Sequence, residues 1–157
     1  MNILLIDDDL SLRKSVRLAL ETMNCRVTEA SDSAQAQEFL AQNLFEAAFL
    51  DLRLGKDQGL DVLPALLRLV PGLHVIVITA YATIETAVEA MRRGAFDYLP
   101  KPFTPNQVRV ALERVARIRQ LESHVADLER QVRLVVPEAE EGLRKVIMVL
   151  AQAEVPS

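Results

Sequence analysis

The chain has 157 residues, half of them apolar, with 22 acidic and 18 basic side chains and a net charge of −4. That size suits one domain with an appendage. The charge excludes the basic excess that a nucleic-acid backbone demands, because residues 1–104 hold 14 acidic and 10 basic groups and residues 105–157 hold 8 of each. No run of about eighteen apolar residues and no basic-then-apolar leader occurs, so neither a membrane span nor a signal segment is expected. Cys25 stands alone, which excludes a disulfide framework and points to a reducing cytoplasm.

Met1 leads directly into NILLID (2–7), a continuous apolar run that reads as a first strand. LSLRKSVRLALETM (10–23) follows with helical spacing through Leu12, Val16, Leu20 and Met23. CRVTEA (25–30) alternates as a strand, with Cys25 as a small core residue at its start, and SAQAQEFLAQN (33–43) returns to helical period. EAAFLD (46–51) and HVIVIT (74–79) are apolar strands on either side of the helical GLDVLPALLRLV (59–70). Pro64 is tolerated there if it lies in the first turns. His74 reads as the polar start of the fourth strand. TIETAVEAMRRG (83–94), FDYLP (96–100) and a helix starting near Pro105 complete five strand–helix units of about twenty residues each.

Strands that are apolar throughout are covered on both faces. The expected fold is therefore α/β, a doubly wound five-stranded parallel sheet followed by an extended C-terminal helix. From about residue 105 one helical period runs to about Val135, and Pro137 ends it. The final GLRKVIMVLAQAEVPS reads as one more amphipathic helix, the start of a truncated following domain.

Right-handed crossovers place every strand's C-terminal end on one rim. That rim collects Asp7 and Asp8 from the first strand, Asp51 from the third, Thr79 from the fourth and Lys101 after the fifth. Three crowded carboxylates repel unless a cation sits among them, and oxygen ligands beside a phosphate-bearing partner suit Mg²⁺. A lysine and a threonine hydroxyl opposite them could hold an anion. Such a set suits attack by a carboxylate on phosphorus, with Asp51 on the central strand as the nucleophile. The plainer alternative is that Asp8 or Asp9 caps the next helix and Asp51 stabilises its turn. That explains each aspartate singly but not five suitable residues on one rim.

LLIDDD, FLDLRLGKDQGLDVL, VIVITAYA and GAFDYLPKPF resemble, in order, the motifs of the receiver domain of two-component response regulators, a flavodoxin-like fold. The helix beyond is similar to that of NtrC-type transcriptional regulators. The resemblance implies that Asp51 is the phosphoacceptor, with Asp8, Asp51 and the carbonyl of Arg53 ligating Mg²⁺ and Asp7 acting through water. It implies that Thr79 and Lys101 hold the phosphoryl oxygens, that Tyr98 is the rotating aromatic of a switch, and that Lys101–Pro102 is cis. One departure is that the family often has Pro-Gly where this chain has Gly55-Lys56, although Gly59 is in place.

The expected organisation is a receiver over 1–118, a coiled-coil linker over 119–136 continuous with the fifth helix, and the start of a following domain over 137–157. The expected partners are a cognate sensor histidine kinase and a second copy of the chain. DNA would be met only by a further C-terminal domain, and no membrane is involved. No enzyme activity is expected beyond self-phosphorylation from a phosphodonor and self-dephosphorylation. A phosphatase with an aspartyl nucleophile is the enzymatic rival, but Arg53 stands where its proton-donating acid would be. A dimerisation module with an inactive receiver is the third possibility. For the dimer, Ile118, Leu121, Val125, Leu128, Val132 and Val135 alternate by three and four, with β-branched residues at position a and Leu, Leu and Val at d. That pattern favours parallel two-stranded coils, and Arg117–Glu122 and His124–Glu129 would be cross-strand pairs.

Overall fold

The computed structural model describes residues 1–54, 57–135 and 140–153. The Gly55–Lys56 turn and the helix stop at Pro137 lie outside the described residues. The chain divides into two compact units, Met1–Leu112 and Glu113–Ser157.

The first unit alternates strands and helices. β1 (Asn2–Ile6), α1 (Leu10–Thr22), β2 (Arg26–Ala30), α2 (Ser33–Gln42) and β3 (Ala47–Asp51) come first. Two short strands, β4 (Arg53–Leu54) and β5 (Asp57–Gln58), then pair antiparallel and lead into α3 (Gly59–Leu69). β6 (His74–Thr79), α4 (Ile84–Arg92), β7 (Asp97–Pro100) and the start of α5 (Pro105–Val135) complete it. The five longer strands form a parallel sheet in the order β2-β1-β3-β6-β7, as the apolar runs require. The small β4–β5 hairpin is not visible as an apolar pattern, because two-residue strands have no period to read.

Burial follows the pattern of the runs. Every residue of β3 and of β6 is buried, and Phe49, Ile76 and Ile78 are fully so. Leu4, Leu50, Leu63, Leu66 and Val77 belong to the main core cluster under α2 and α3. Truncating one such leucine to alanine would cost about 2–5 kcal/mol. Cys25 is buried just before β2 starts, and burial pushes its thiol pKa up. His74 is buried at the start of β6, with its ring edge-on to Phe96 at 5.0 Å between centroids.

Pro64 lies within α3, and its missing N–H is the one that would have bonded the Leu60 carbonyl. Arg93, at the end of α4, fills that place: its Nη1 donates to Leu60 O at 2.7 Å and reaches Asp61 Oδ1 at 2.9 Å. The proline is therefore accommodated by a side chain from the next helix.

In the second unit α6 (Glu140–Ala153) runs antiparallel beside the later part of α5. Arg144 Nε lies 3.3 Å from Glu129 Oε2 near one end, and Ala151 lines a cleft with Leu121 near the other. Val125, at the centre of the proposed coil face, is only 7% exposed, and Leu121 and Leu128 are half-buried opposite Ile147 and Ala151. No helix among the described residues is long and apolar enough to cross a membrane.

Candidate functional site

The sheet order reverses between β1, which leads outward to β2, and β3, which leads to β6, and a doubly wound sheet carries its crevice at that point. Asp7 follows β1 directly and Asp51 ends β3, so the two carboxylates flank the crevice. Gly59 shapes its floor. Its amide donates to Leu52 O at 2.8 Å, and a Cβ there would come within 2.4 Å of Leu52 Cα and 2.6 Å of Asp51 O. Only glycine lets the start of α3 lie so close behind the Asp51–Leu52 backbone.

Asp7, Asp8 and Asp51 each offer an oxygen within 4.8 Å of the others. Asp7 is fully buried, Asp51 is buried and Asp8 is exposed. Lys101 Nζ donates to Asp51 Oδ2 at 2.7 Å and to Asp7 Oδ2 at 3.0 Å. Asp51 Oδ1 accepts the Arg53 amide at 2.9 Å, and Asp7 Oδ1 accepts the Asp9 amide at 2.9 Å. Burial raises the pKa of Asp7, and this outweighs the Asp9 amide and Lys101, which lower it. For Lys101 burial acts to lower the pKa, but its bonds to Asp51 and Asp7 prevail and raise it. Three carboxylates against one ammonium leave an excess of negative charge equal to that of a divalent cation. Oxygen-only donors, one of them open to solvent, fit a hard cation.

The helix-capping role falls to Asp9, whose Oδ1 accepts the Leu12 amide at 3.1 Å, which leaves Asp8 to the acidic cluster. Thr79 is buried at the end of β6, and its Oγ1 accepts the Tyr81 amide at 3.1 Å. Lys101 follows β7, and Lys101–Pro102 is cis. Asp7, Asp8, Asp51 and Lys101 thus come together, and Thr79 adjoins them through its carbonyl, which accepts the Lys101 amide at 2.7 Å. Arg53 reaches the site through its amide, while its guanidinium lies 3.4 Å above the Tyr81 ring. Tyr98 is half-buried on β7, hydrogen-bonded through its hydroxyl to Thr86 Oγ1 of α4 at 2.8 Å.

Two residues next to the site carry no signal in a strand-end reading. Arg13 of α1 donates from Nη1 to Asp7 O at 2.6 Å and from Nε to Glu29 Oε1 at 2.9 Å. Glu29 on β2 also meets Lys14 Nζ at 2.9 Å and Arg17 Nη1 at 2.6 Å. Burial would raise the Glu29 pKa, but hydrogen bonds from the three cations outweigh it and hold it at about 2. An acid inside an edge strand and arginines four apart on one helix were the available hints.

The response regulator receiver domain matches residues 3–113 of this chain. The chain belongs to the response regulator receiver family. Among receiver-bearing relatives, the alginate biosynthesis transcriptional regulatory protein AlgB of Pseudomonas aeruginosa is 42% identical over 131 residues, covering 83% of this chain and 29% of that protein. This chain therefore spans less than a third of AlgB. NtrX from Brucella abortus, solved in complex with ATP, superposes with a TM-score of 0.76 at 32% identity over 81% of this chain and 29% of that one. A response regulator from Burkholderia pseudomallei, solved with a phosphorylated aspartic acid, calcium ion and citrate, gives 0.68 at 29% identity, covering 85% and 84%. The five-stranded parallel receiver fold and the similarity to NtrC-type regulators agree with the expectations from sequence.

Proposed function

We propose that Asp51 accepts a phosphoryl group from a phosphohistidine of a cognate sensor histidine kinase, and that this controls a transcriptional-activator output. One observation carries the assignment: Lys101 bridges Asp51 and Asp7 within a three-carboxylate cluster at the end of the central strand. A carboxylate oxygen of Asp51 forms the new bond to phosphorus as the phosphorus–nitrogen bond breaks, and the electron pair returns to the donor imidazole, which takes up a proton from solvent. Lys101 and the Thr79 hydroxyl donate to the phosphoryl oxygens, so their positions are set before charge develops. Mg²⁺ held by Asp8, Asp51 and the Arg53 carbonyl, with Asp7 acting through water, would supply the remaining charge neutralisation.

The donor kinase would dock beside Lys101, where Leu12 and Val16 of α1 and Pro102, Phe103 and Val108 line an apolar groove of about 430 Å³. The division into a receiver (1–118), a coiled-coil linker (119–136) and the start of a following domain (137–157) belongs to the same proposal. So do the homodimer through the linker and receiver and a cytoplasmic setting. Apart from phosphorylating and dephosphorylating itself, the chain then acts as a signalling module and not as an enzyme.

Intact mass after incubation with acetyl phosphate and Mg²⁺ tests the assignment. The chain should gain one phosphoryl group and the nearly isosteric Asp51→Asn none, with its circular dichroism unchanged. Uptake at another residue in Asp51→Asn would overturn it.

A further inference from the structure

We propose that Arg13 is a positioning residue for the acidic site: its guanidinium fixes the Asp7–Asp8 peptide so that the Asp8 carboxylate faces Asp7 and Asp51, and Glu29 holds the guanidinium in place. The proposal rests on the phosphoacceptor assignment and adds to it the group that presents the exposed acid. The loop over residues 7–9 is pinned on both sides of Asp8, at Asp7 and at Asp9. The Asp7 amide donates to Ala30 O at 3.1 Å, and both Asp7 carboxylate oxygens are taken. The Asp9 side chain caps α1, and the Asp9 carbonyl accepts the Arg13 amide at 2.9 Å. The Asp7 carbonyl sets the plane of the peptide leading to Asp8, and Arg13 Nη1 is the donor that holds it.

A free cation this close to three carboxylates would compete with a metal ion for them. Arg13 does not behave as one. Its Nε is committed to Glu29, its Nη1 goes to a neutral carbonyl, and Glu29 remains ionised because three cations surround it. Glu29 is shared by Arg13, Lys14 and Arg17, so the network keeps a net positive charge, and what sets Arg13 apart from the other two cations is the hydrogen bond it carries to the site. A planar guanidinium can bridge carboxylate and carbonyl at once, whereas a lysine ammonium cannot reproduce that fork. Groups that orient metal ligands typically change metal affinity by about 10–100-fold when removed.

Mn²⁺ titration of the 157-residue chain, following the free ion by electron paramagnetic resonance, separates positioning from charge and from simple stapling of α1 to β2. Positioning predicts about tenfold weaker Mn²⁺ binding in Arg13→Ala and a comparable loss in Arg13→Lys. Lys14→Ala, which leaves the bond to Asp7 O in place, should bind Mn²⁺ like wild type. An effect of charge alone would instead strengthen binding in Arg13→Ala and leave Arg13→Lys unchanged. A stapling role alone would lower the melting temperature with no change in Mn²⁺ affinity. Either of those results would overturn the proposal, and Arg13→Lys decides it if Arg13→Ala does not fold. A wild type that binds no Mn²⁺ would overturn the acceptor assignment and this proposal with it, whereas full binding in both Arg13 variants would overturn this proposal alone.

Discussion

Arg53 and Tyr81 lie two residues beyond Asp51 and Thr79, and their contact joins the loops that follow β3 and β6. The guanidinium rests 3.4 Å from the ring centroid, and Tyr81 is 57% exposed. Water that hydrolyses an acyl phosphate must approach in line with the carboxylate, and two bulky side chains stacked beside Asp51 are expected to obstruct it. An exposed cation–π contact is worth about 0.5–1 kcal/mol, equivalent to roughly two- to fivefold in access. The double variant Arg53→Asn/Tyr81→Ala should therefore lose its phosphoryl group about two- to fivefold faster than wild type, as read from acid-quenched mass spectra over time. Equal half-lives would contradict the lid. At this scale the sequence was informative where chemistry sits at a strand end, as with Asp7, Asp51 and Lys101. It was ambiguous between Asp8 and Asp9, since either spacing could cap α1 and only backbone direction decides. It was silent on Arg13 and Glu29, whose bond crosses from α1 to β2, because a periodicity gives the buried face of a helix but not which polar side chains at its edge meet a neighbouring strand.

Tyr98 and α4 are coupled through the cap of that helix. Thr83 and Thr86 form a capping box, and the same Thr86 hydroxyl meets the Tyr98 hydroxyl at 2.8 Å. Tyr98, the expected switch aromatic, is thereby tied to the first turn of the helix it would have to move past. At its other end α4 is tied to α3 by Arg93 through Leu60 O and Asp61. Phosphorylation of Asp51 is expected to draw Thr79 inward and open space for Tyr98, and breaking its bond to Thr86 opposes that rotation. Tyr98→Phe keeps the ring, removes that bond and leaves the capping box intact. It should shift the unphosphorylated chain towards the inward rotamer of residue 98, a bias of about 1 kcal/mol for one neutral hydrogen bond. Amide shifts of α4 and β7 should then move part-way towards those of the beryllofluoride-treated wild type; shifts that match untreated wild type throughout would break the coupling. The elements themselves were legible because apolar runs and helical spacing alternate cleanly. The β4–β5 hairpin and the Pro64–Arg93 arrangement were not, since both depend on partners distant in sequence or too short to show a period.

For the molecule as a whole, the apolar stripe of α5 suits more than one partner. The heptad through Ile118, Leu121, Val125, Leu128 and Val132 suits a parallel second helix. In the single chain α6 lies along that stripe, with Ile147 and Ala151 across from Leu121 and Leu128. Light scattering on wild type and on Leu121→Asp/Leu128→Asp tests the dimer: wild type should be dimeric at high concentration and the double variant monomeric. Ile147→Asp, which weakens the grip of α6 and leaves α5 untouched, should dimerise at lower concentration than wild type. Identical dimerisation in the double variant and wild type would rule the coil out.

A helix tethered a few residues away is present at its target at an effective concentration of about millimolar, whatever the bulk concentration of protein. A second chain, by contrast, is only as abundant as the cell makes it. At micromolar protein, α6 therefore begins with a statistical advantage of roughly a thousandfold over the partner helix, or about 4 kcal/mol at 1.4 kcal/mol per tenfold. Dimerisation through this stripe would thus be a threshold event. It sets in where the coil's own affinity exceeds that head start, or where something else draws α6 away.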